Sequence, residues 1–198
     1  MLISYNLSSL VIDTLRERDV EKNARVAYFY FDFAAKEGQS TDAVLGSVLR
    51  QIIGGKEIPE GITTAFRRQK EFPGDKRLEL PAIVKFLQDI TYSRPTFICI
   101  DSLDECQEEH RTELLNSLNN ILKNSPQARL FLTGRDHILP EVKKHLGERA
   151  VTRSIKPTEN DMATFLKEKL DKDKRPEAMN ENLKKDIMQK LPKAVSGM

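Results

Sequence analysis

The sequence has almost no cysteine, no surplus of either charge, no apolar run long enough for a membrane and no glycine-rich phosphate-binding loop. Cys99 and Cys106 are too few for a disulfide framework and have no metal-ligand spacing around them, which excludes the stapled secreted and zinc-module classes and fits a reducing, cytoplasmic location. The opening Met1-Leu2-Ile3-Ser4-Tyr5-Asn6-Leu7 lacks a basic region, and Ser and Asn break its apolar run. Neither a signal peptide nor a membrane span is expected. With 32 Lys plus Arg against 30 Asp plus Glu, the net charge of +2 supplies no field to attract nucleic acid or an anionic membrane. The nearest approach to G-x-x-x-x-G-K-[ST] is Gly55-Lys56, where Arg50 stands in place of the first glycine and Glu57-Ile58 follow the lysine. Without such a loop a triphosphate has no cradle of backbone N–H groups and no phosphate-binding lysine. Weak or no binding of ATP or GTP is the expectation for the chain as it stands.

What is there reads as a folded domain, since 31% charged and 39% hydrophobic residues are the balance of a globular protein rather than a disordered one. Ile3, Leu7, Leu10, Val11 and Leu15 recur at helical steps, so the chain opens inside an amphipathic helix with no N-cap before it. A missing upstream piece is therefore expected. Val26 to Phe33 is a continuous aromatic and β-branched run, the pattern of a strand covered on both faces. Thr41-Asp42 starts a helix whose pairs Val44/Leu45, Val48/Leu49 and Ile52/Ile53 repeat until Gly54-Gly55 stops it. Residues 56–77 read as connecting structure with one short helix near 63–71, and a further helix begins at Pro81. Strands are predicted at 96–101, 128–133 and 150–155, with a helix between the first two carrying Leu114, Leu115, Leu118 and Ile121. Two final helices follow, one entered through a capping box at Thr158-Glu159-Asn160-Asp161 and one near 180–191. Such alternation predicts an α/β domain with a parallel sheet.

The chemistry concentrates in Phe97-Ile98-Cys99-Ile100-Asp101-Ser102-Leu103-Asp104-Glu105. In open α/β sheets ligands bind outside the carboxyl ends of the strands, so Asp101 stands where a metal-bound phosphate would lie. Mg²⁺ takes only one or two carboxylates and keeps its other oxygens from water and phosphate, which suits one strand-end Asp. Asp104 and Glu105 are the candidates to position or deprotonate an attacking water. The plainer alternative is that the acids cap the following helix. Leu130-Phe131-Leu132-Thr133-Gly134-Arg135 ends another strand on an Arg, whose planar fork suits phosphate, although a surface Arg after a strand has the same appearance. His110, His137 and His145 are scattered, with no acid or cysteine at ligand spacing, Lys172, Lys174 and Arg175 are interleaved with Asp171 and Asp173, and Cys106 beside two acids is a poor nucleophile.

The 97–105 segment resembles the Walker B strand of NACHT domains, a STAND class of P-loop NTPase: four apolar residues, Asp, a small residue, an apolar residue, Asp and Glu. Tyr28-Phe29-Tyr30-Phe31-Asp32-Phe33, Ser40-Thr41-Asp42 with Leu49-Arg50-Gln51-Ile52, Asp104-Glu105-Cys106, Glu159-Asn160-Asp161-Met162 and Ser196-Gly197-Met198 extend the likeness to fungal NACHT modules of the nephrocystin-like kind, over nearly the whole chain. The resemblance implies a three-layer αβα sheet, incomplete because strand 1 and the P-loop are missing. Strand 25–33 should lie beside 96–101, then 128–133, then a vacancy, then 150–155, with residues 1–156 as the partial core and 157–198 as the start of a helical extension. It implies Mg²⁺ and ATP or GTP as cofactors of the intact protein, with Asp101 as metal and nucleotide ligand, Asp104 and Glu105 as catalytic acids and Arg135 as the sensor of the γ-phosphate, where the family usually has Ser at the position of Gly134. It also implies attached ankyrin or WD repeats, other NACHT proteins as partners, and a role in fungal self/non-self recognition. The rival reading is a non-catalytic interaction module that keeps the NTPase scaffold.

Overall fold

The computed structural model describes residues 2–19, 24–34, 38–54, 60–64, 78–147, 150–155, 158–172 and 180–196. These divide into two compact units, Met1–Val151 and Thr152–Met198. The first unit contains α1 (Leu2–Asp19), β1 (Arg25–Tyr30), α2 (Thr41–Ile53), α3 (Leu80–Tyr92), β2 (Thr96–Asp101), α4 (Glu108–Asn124), β3 (Ala128–Leu132) and α5 (Leu139–Leu146). A helical turn covers 60–64, and most of the connecting stretch read between 56 and 77 lies outside the described residues.

The three strands form one parallel sheet in the order β1-β2-β3, with Ala27 opposite Ile98 and Ile98 opposite Leu130. Side chains alternate across a strand, so each strand offers one residue set to each face. Ala27, Phe31, Ile98 and Ile100 face a buried cluster with Val44, Leu45, Val48, Leu49 and Ile52 of α2, Ile83 and Leu87 of α3, and Leu114, Leu115 and Leu118 of α4. On the opposite face α1 packs over β1 and β2, setting the Arg16 guanidinium 5.0 Å from the Tyr28 ring centre, a cation–π contact. This is an incomplete αβα sandwich of the P-loop-like kind. Helices cover both faces of β2, which explains its nearly uninterrupted apolar run.

Local sequence accounts for the helix ends. Gly54 closes α2 with φ +41, and a Cβ there would meet the Gln51 carbonyl oxygen at 2.9 Å; its N–H caps the Arg50 carbonyl at 3.1 Å. Pro81 sits in the first turn of α3, where its missing N–H costs nothing.

Three expectations are corrected. In α1 the buried pair is Ser8 and Ile12, one turn apart, while Leu10 is 64% exposed; the face that meets the sheet is centred one position away from the stripe read in the sequence. The run expected to stay in strand to Phe33 leaves it after Tyr30: Asp32 Oδ1 accepts the Ala34 N–H at 2.9 Å, a local turn that an extended chain cannot make, and Phe33 is 62% exposed. Residues 150–155 form no strand, and Val151 is 87% exposed. A strand exists through its neighbour, and among the described residues no strand lies beyond β3 to pair with this one.

The second unit holds α6 (Glu159–Asp171) and α7 (Glu181–Ser196), which pack on each other. Thr158 and Asp161 form the expected capping box: the Asp161 N–H donates to Thr158 Oγ1 at 3.2 Å and the Thr158 N–H to Asp161 Oδ2 at 2.9 Å. Lys174 and Arg175 of the basic cluster lie outside the described residues. No described helix is long and apolar enough to cross a membrane.

Candidate functional site

The site candidates gather where the three parallel strands end. Asp101, the last residue of β2, is only 2% exposed. Its Oδ1 accepts a short hydrogen bond from Ser8 Oγ of α1 and one from Thr133 Oγ1, just beyond β3, at 2.6 Å. Its Oδ2 accepts from Ser102 Oγ at 3.1 Å. A buried carboxylate is costly unless it is well hydrogen-bonded, and three hydroxyls from three different elements meet that need. Thr133 Oγ1 also accepts the Ser102 N–H at 3.0 Å, so the Thr133 hydroxyl links the turn after β2 to the carboxylate.

That turn is unusual. Ser102 has φ 56 and ψ 45, the one left-handed non-glycine residue among those described, a conformation that costs about 1–2 kcal/mol relative to right-handed backbone. It swings the chain into a short 3₁₀ turn, Leu103–Glu105, with Leu103 fully buried beneath it. The Leu103 N–H donates to the Thr133 carbonyl at 2.9 Å, which locks the ends of β2 and β3 together.

The two further acids do not converge on Asp101. Asp104, with its side chain 7% exposed, accepts from the Arg135 N–H at 3.3 Å and pairs with Arg135 Nε at 3.3 Å, while the Arg135 side chain is 70% exposed. Glu105 Oε2 accepts the Phe33 N–H at 2.9 Å, fastening the turn after β1. Among the described residues no three His, Cys, Asp or Glu side chains are placed to hold a metal ion. The structure therefore joins Asp101 to Ser8, Ser102 and Thr133, and Asp104 to Arg135, as separate centres. Sequence reasoning missed Ser8 and Thr133. A serine one turn before the apolar Ile12, at the margin of the α1 stripe, and a threonine at the polar end of a strand beside the one that carries Asp101, were the available signals.

Gly134 is explained by packing. A Cβ there would approach Ile138 Cδ1 to 2.7 Å and Asp104 Oδ1 to 3.5 Å, so in this chain a larger residue must displace the buried Ile138. The remaining candidates are structural. Burial pushes both the Cys99 and the Cys106 thiols up to about 11, against the opposing charges of Arg16 and Arg111. The acid that adds to the rise at Cys106 is Glu141, whereas the turn acids were the expected cause. His145 Nδ1 lies 2.7 Å from Asn116 Oδ1.

No curated protein and no solved structure matches the chain. The family model described as "Nephrocystin 3, N-terminal" matches residues 6–135, a span that runs from α1 to the arginine beyond β3 and takes in Ser8, Asp101, Ser102, Asp104, Glu105 and Thr133. A match over well more than half of the sequence, containing the whole sheet and every residue of the site, shows that the chain belongs to the nephrocystin 3 N-terminal family.

Proposed function

We propose that the chain is the scaffold of a NACHT-type, nucleotide-dependent signalling switch. In this reading Asp101 meets Mg²⁺ and a bound ATP or GTP, and Arg135 reads the terminal phosphate. Grip on the nucleotide requires a glycine-rich loop that these residues do not contain. The observation that carries the reading is the buried Asp101 carboxylate at the C-terminal end of the central strand, ringed by Ser8, Ser102 and Thr133 hydroxyls. The donor set is all hard oxygen with a single carboxylate, which fits Mg²⁺ bound largely through water and phosphate. The ion would supply charge neutralisation on the phosphate oxygens.

The chain's own residues divide the remaining work. The hydroxyls hold the Asp101 oxygens in place. Glu105, steadied by the Phe33 N–H, and Asp104 are the acids that position or deprotonate water. Because Asp104 Oδ2 pairs with Arg135 Nε, an Arg135 side chain drawn to a phosphate releases that oxygen while Oδ1 keeps the Arg135 N–H, so nucleotide state and catalytic acid are coupled. In such a switch the bound nucleotide sets assembly with attached repeats or with other NACHT proteins in the cytoplasm rather than metabolic turnover. The missing loop favours a second reading, a non-catalytic module that keeps the scaffold to bind related switches.

Calorimetric titration of Mg-ATP and Mg-GTP tests this in two forms: the chain as it stands, and a version extended upstream by a family member's strand and G-x-x-x-x-G-K-[ST] loop. Micromolar binding is expected only in the extended form, and it should disappear with Asp101→Asn. An extended form that binds neither nucleotide contradicts the switch. Micromolar binding by the chain as it stands contradicts the need for the loop and removes the interaction-module reading.

A further inference from the structure

Where the ladder between β2 and β3 ends, the β2 side carries one residue more than the β3 side matches. In a parallel pair each bonded residue donates to one residue of its neighbour and accepts from the residue two positions further on. The Thr133 N–H donates to the Ile100 carbonyl at 3.0 Å, so a regular ladder would bring the Ser102 N–H to the Thr133 carbonyl. The Leu103 N–H takes that carbonyl instead, at 2.9 Å, and Ser102 is the extra residue, left-handed at φ 56. This is a β-bulge, a device that re-aims side chains where pairing ends. Ser102 is only 5% exposed, so its displaced N–H would be costly to leave without an acceptor. The Thr133 hydroxyl accepts it at 3.0 Å and itself donates to Asp101 Oδ1 at 2.6 Å.

We propose that Thr133 is a positioning residue: its hydroxyl holds the Ser102 bulge and so decides where Asp104 and Glu105 point. A regular ladder would carry the chain onward as strand, and the 3₁₀ turn Leu103–Glu105 that sets both acids would start elsewhere. With the bulge in place, Asp104 reaches the N–H and Nε of Arg135, and Glu105 reaches the Phe33 N–H, 72 residues away. The role needs a hydroxyl, because one group must accept from an N–H and donate to a carboxylate at the same point. Serine meets that need, and valine, with the shape of threonine, does not. Arg135 lies two residues beyond Thr133 on the same segment. In the nucleotide reading, on which this last step rests, a phosphate drawing on Arg135 acts on the bulge through Thr133, so that the sensor and both acids respond as one unit.

NMR of the full chain without nucleotide tests the positioning role, so a negative result bears on Thr133 and leaves the switch reading to its own titration. A left-handed residue holds its N–H and Hα protons unusually close, and a strong Overhauser effect between them marks Ser102 directly. The parent and Thr133→Ser should both show that contact and a protected Phe33 amide. Thr133→Val should lose the contact and quicken Phe33 exchange by roughly ten-fold or more, measured against the Ile98 amide in the middle of β2 to remove any change in global stability. Adding Ser102→Gly to Thr133→Val frees the left-handed backbone of strain and should restore most of the Phe33 protection. The double variant also carries the test if Thr133→Val alone does not fold. A Thr133→Val chain that keeps both signals, a Thr133→Ser chain that loses them, or a double variant that recovers nothing overturns the proposal.

Discussion

The two edges of the sheet are finished differently. At β1 the outward N–H and C=O of Tyr28 are both taken by one side chain, the Gln51 amide of α2, which does for the edge what a neighbouring strand would do. Arg16 of α1 covers the Tyr28 ring as well. At β3 the outward groups of Leu130 and Leu132 have no such cover among the described residues, and half-buried Leu130, Phe131 and Leu132 stand at the rim. At Tyr28 the first edge carries the kind of covering device that blunts natural sheet edges. The second has the composition of an interior strand with one neighbour too few. That difference agrees with the vacancy implied beside 128–133, and with the failure of 150–155 to form a strand.

Substitutions should separate the centre, the closed edge and the open edge in falling order of effect. Ile100→Ala, at a fully buried site in the central strand, should cost about 3 kcal/mol by urea unfolding, the usual scale for emptying a core position. Gln51→Ala leaves the Tyr28 amide and carbonyl without their partner and should cost about 1–2 kcal/mol, with faster exchange of the Tyr28 amide. If that variant is as stable as the parent, the closed edge owes nothing to Gln51.

On the β3 side, α5 is tied to α4 by the Arg111–Glu141 pair at 2.7 Å and by Thr112 Oγ1 donating to Glu141 at 3.0 Å. Burial by itself would raise the Glu141 carboxyl, but the hydrogen bonds from Arg111 and Thr112, with the charges of Arg111 and His145, outweigh it and hold the group below its ordinary value. A depressed folded value means that the bound proton is favoured in the unfolded chain. The stabilisation is therefore complete above the ordinary glutamate value and fades as pH falls through the lowered one. Glu141→Gln should flatten that part of the acid limb of stability against pH, and an unchanged limb would remove the pair from the account. Smallest of all, Arg129→Ala at the exposed open edge should shift stability by less than about 0.5 kcal/mol.

Much of this was legible in the sequence because period and composition report burial. The α2 stripe, the unbroken β2 run and the Thr158 capping box each follow from one local rule, and each is found. What was not legible depends on partners distant in the chain. Nothing near Ser8 says that its hydroxyl will meet a carboxylate 93 residues away, and Gln51 looks like any polar residue on a helix until β1 is laid beside it. The acids show the same limit. Asp101, Asp104 and Glu105 read as one cluster by spacing, yet the left-handed Ser102 turns the chain so that the three reach different partners. The strand expected at 150–155 failed because β propensity describes a residue's fit to a sheet and cannot supply the sheet.

Residue-resolved amide hydrogen exchange, followed by NMR, tests the contrast between the two edges most directly. The account predicts that the Tyr28 amide, held by Gln51, exchanges slowly, while the Leu130 and Leu132 amides exchange fast. Leu130 and Leu132 amides as slow as that of Tyr28 would contradict it, because the β3 edge would then be covered.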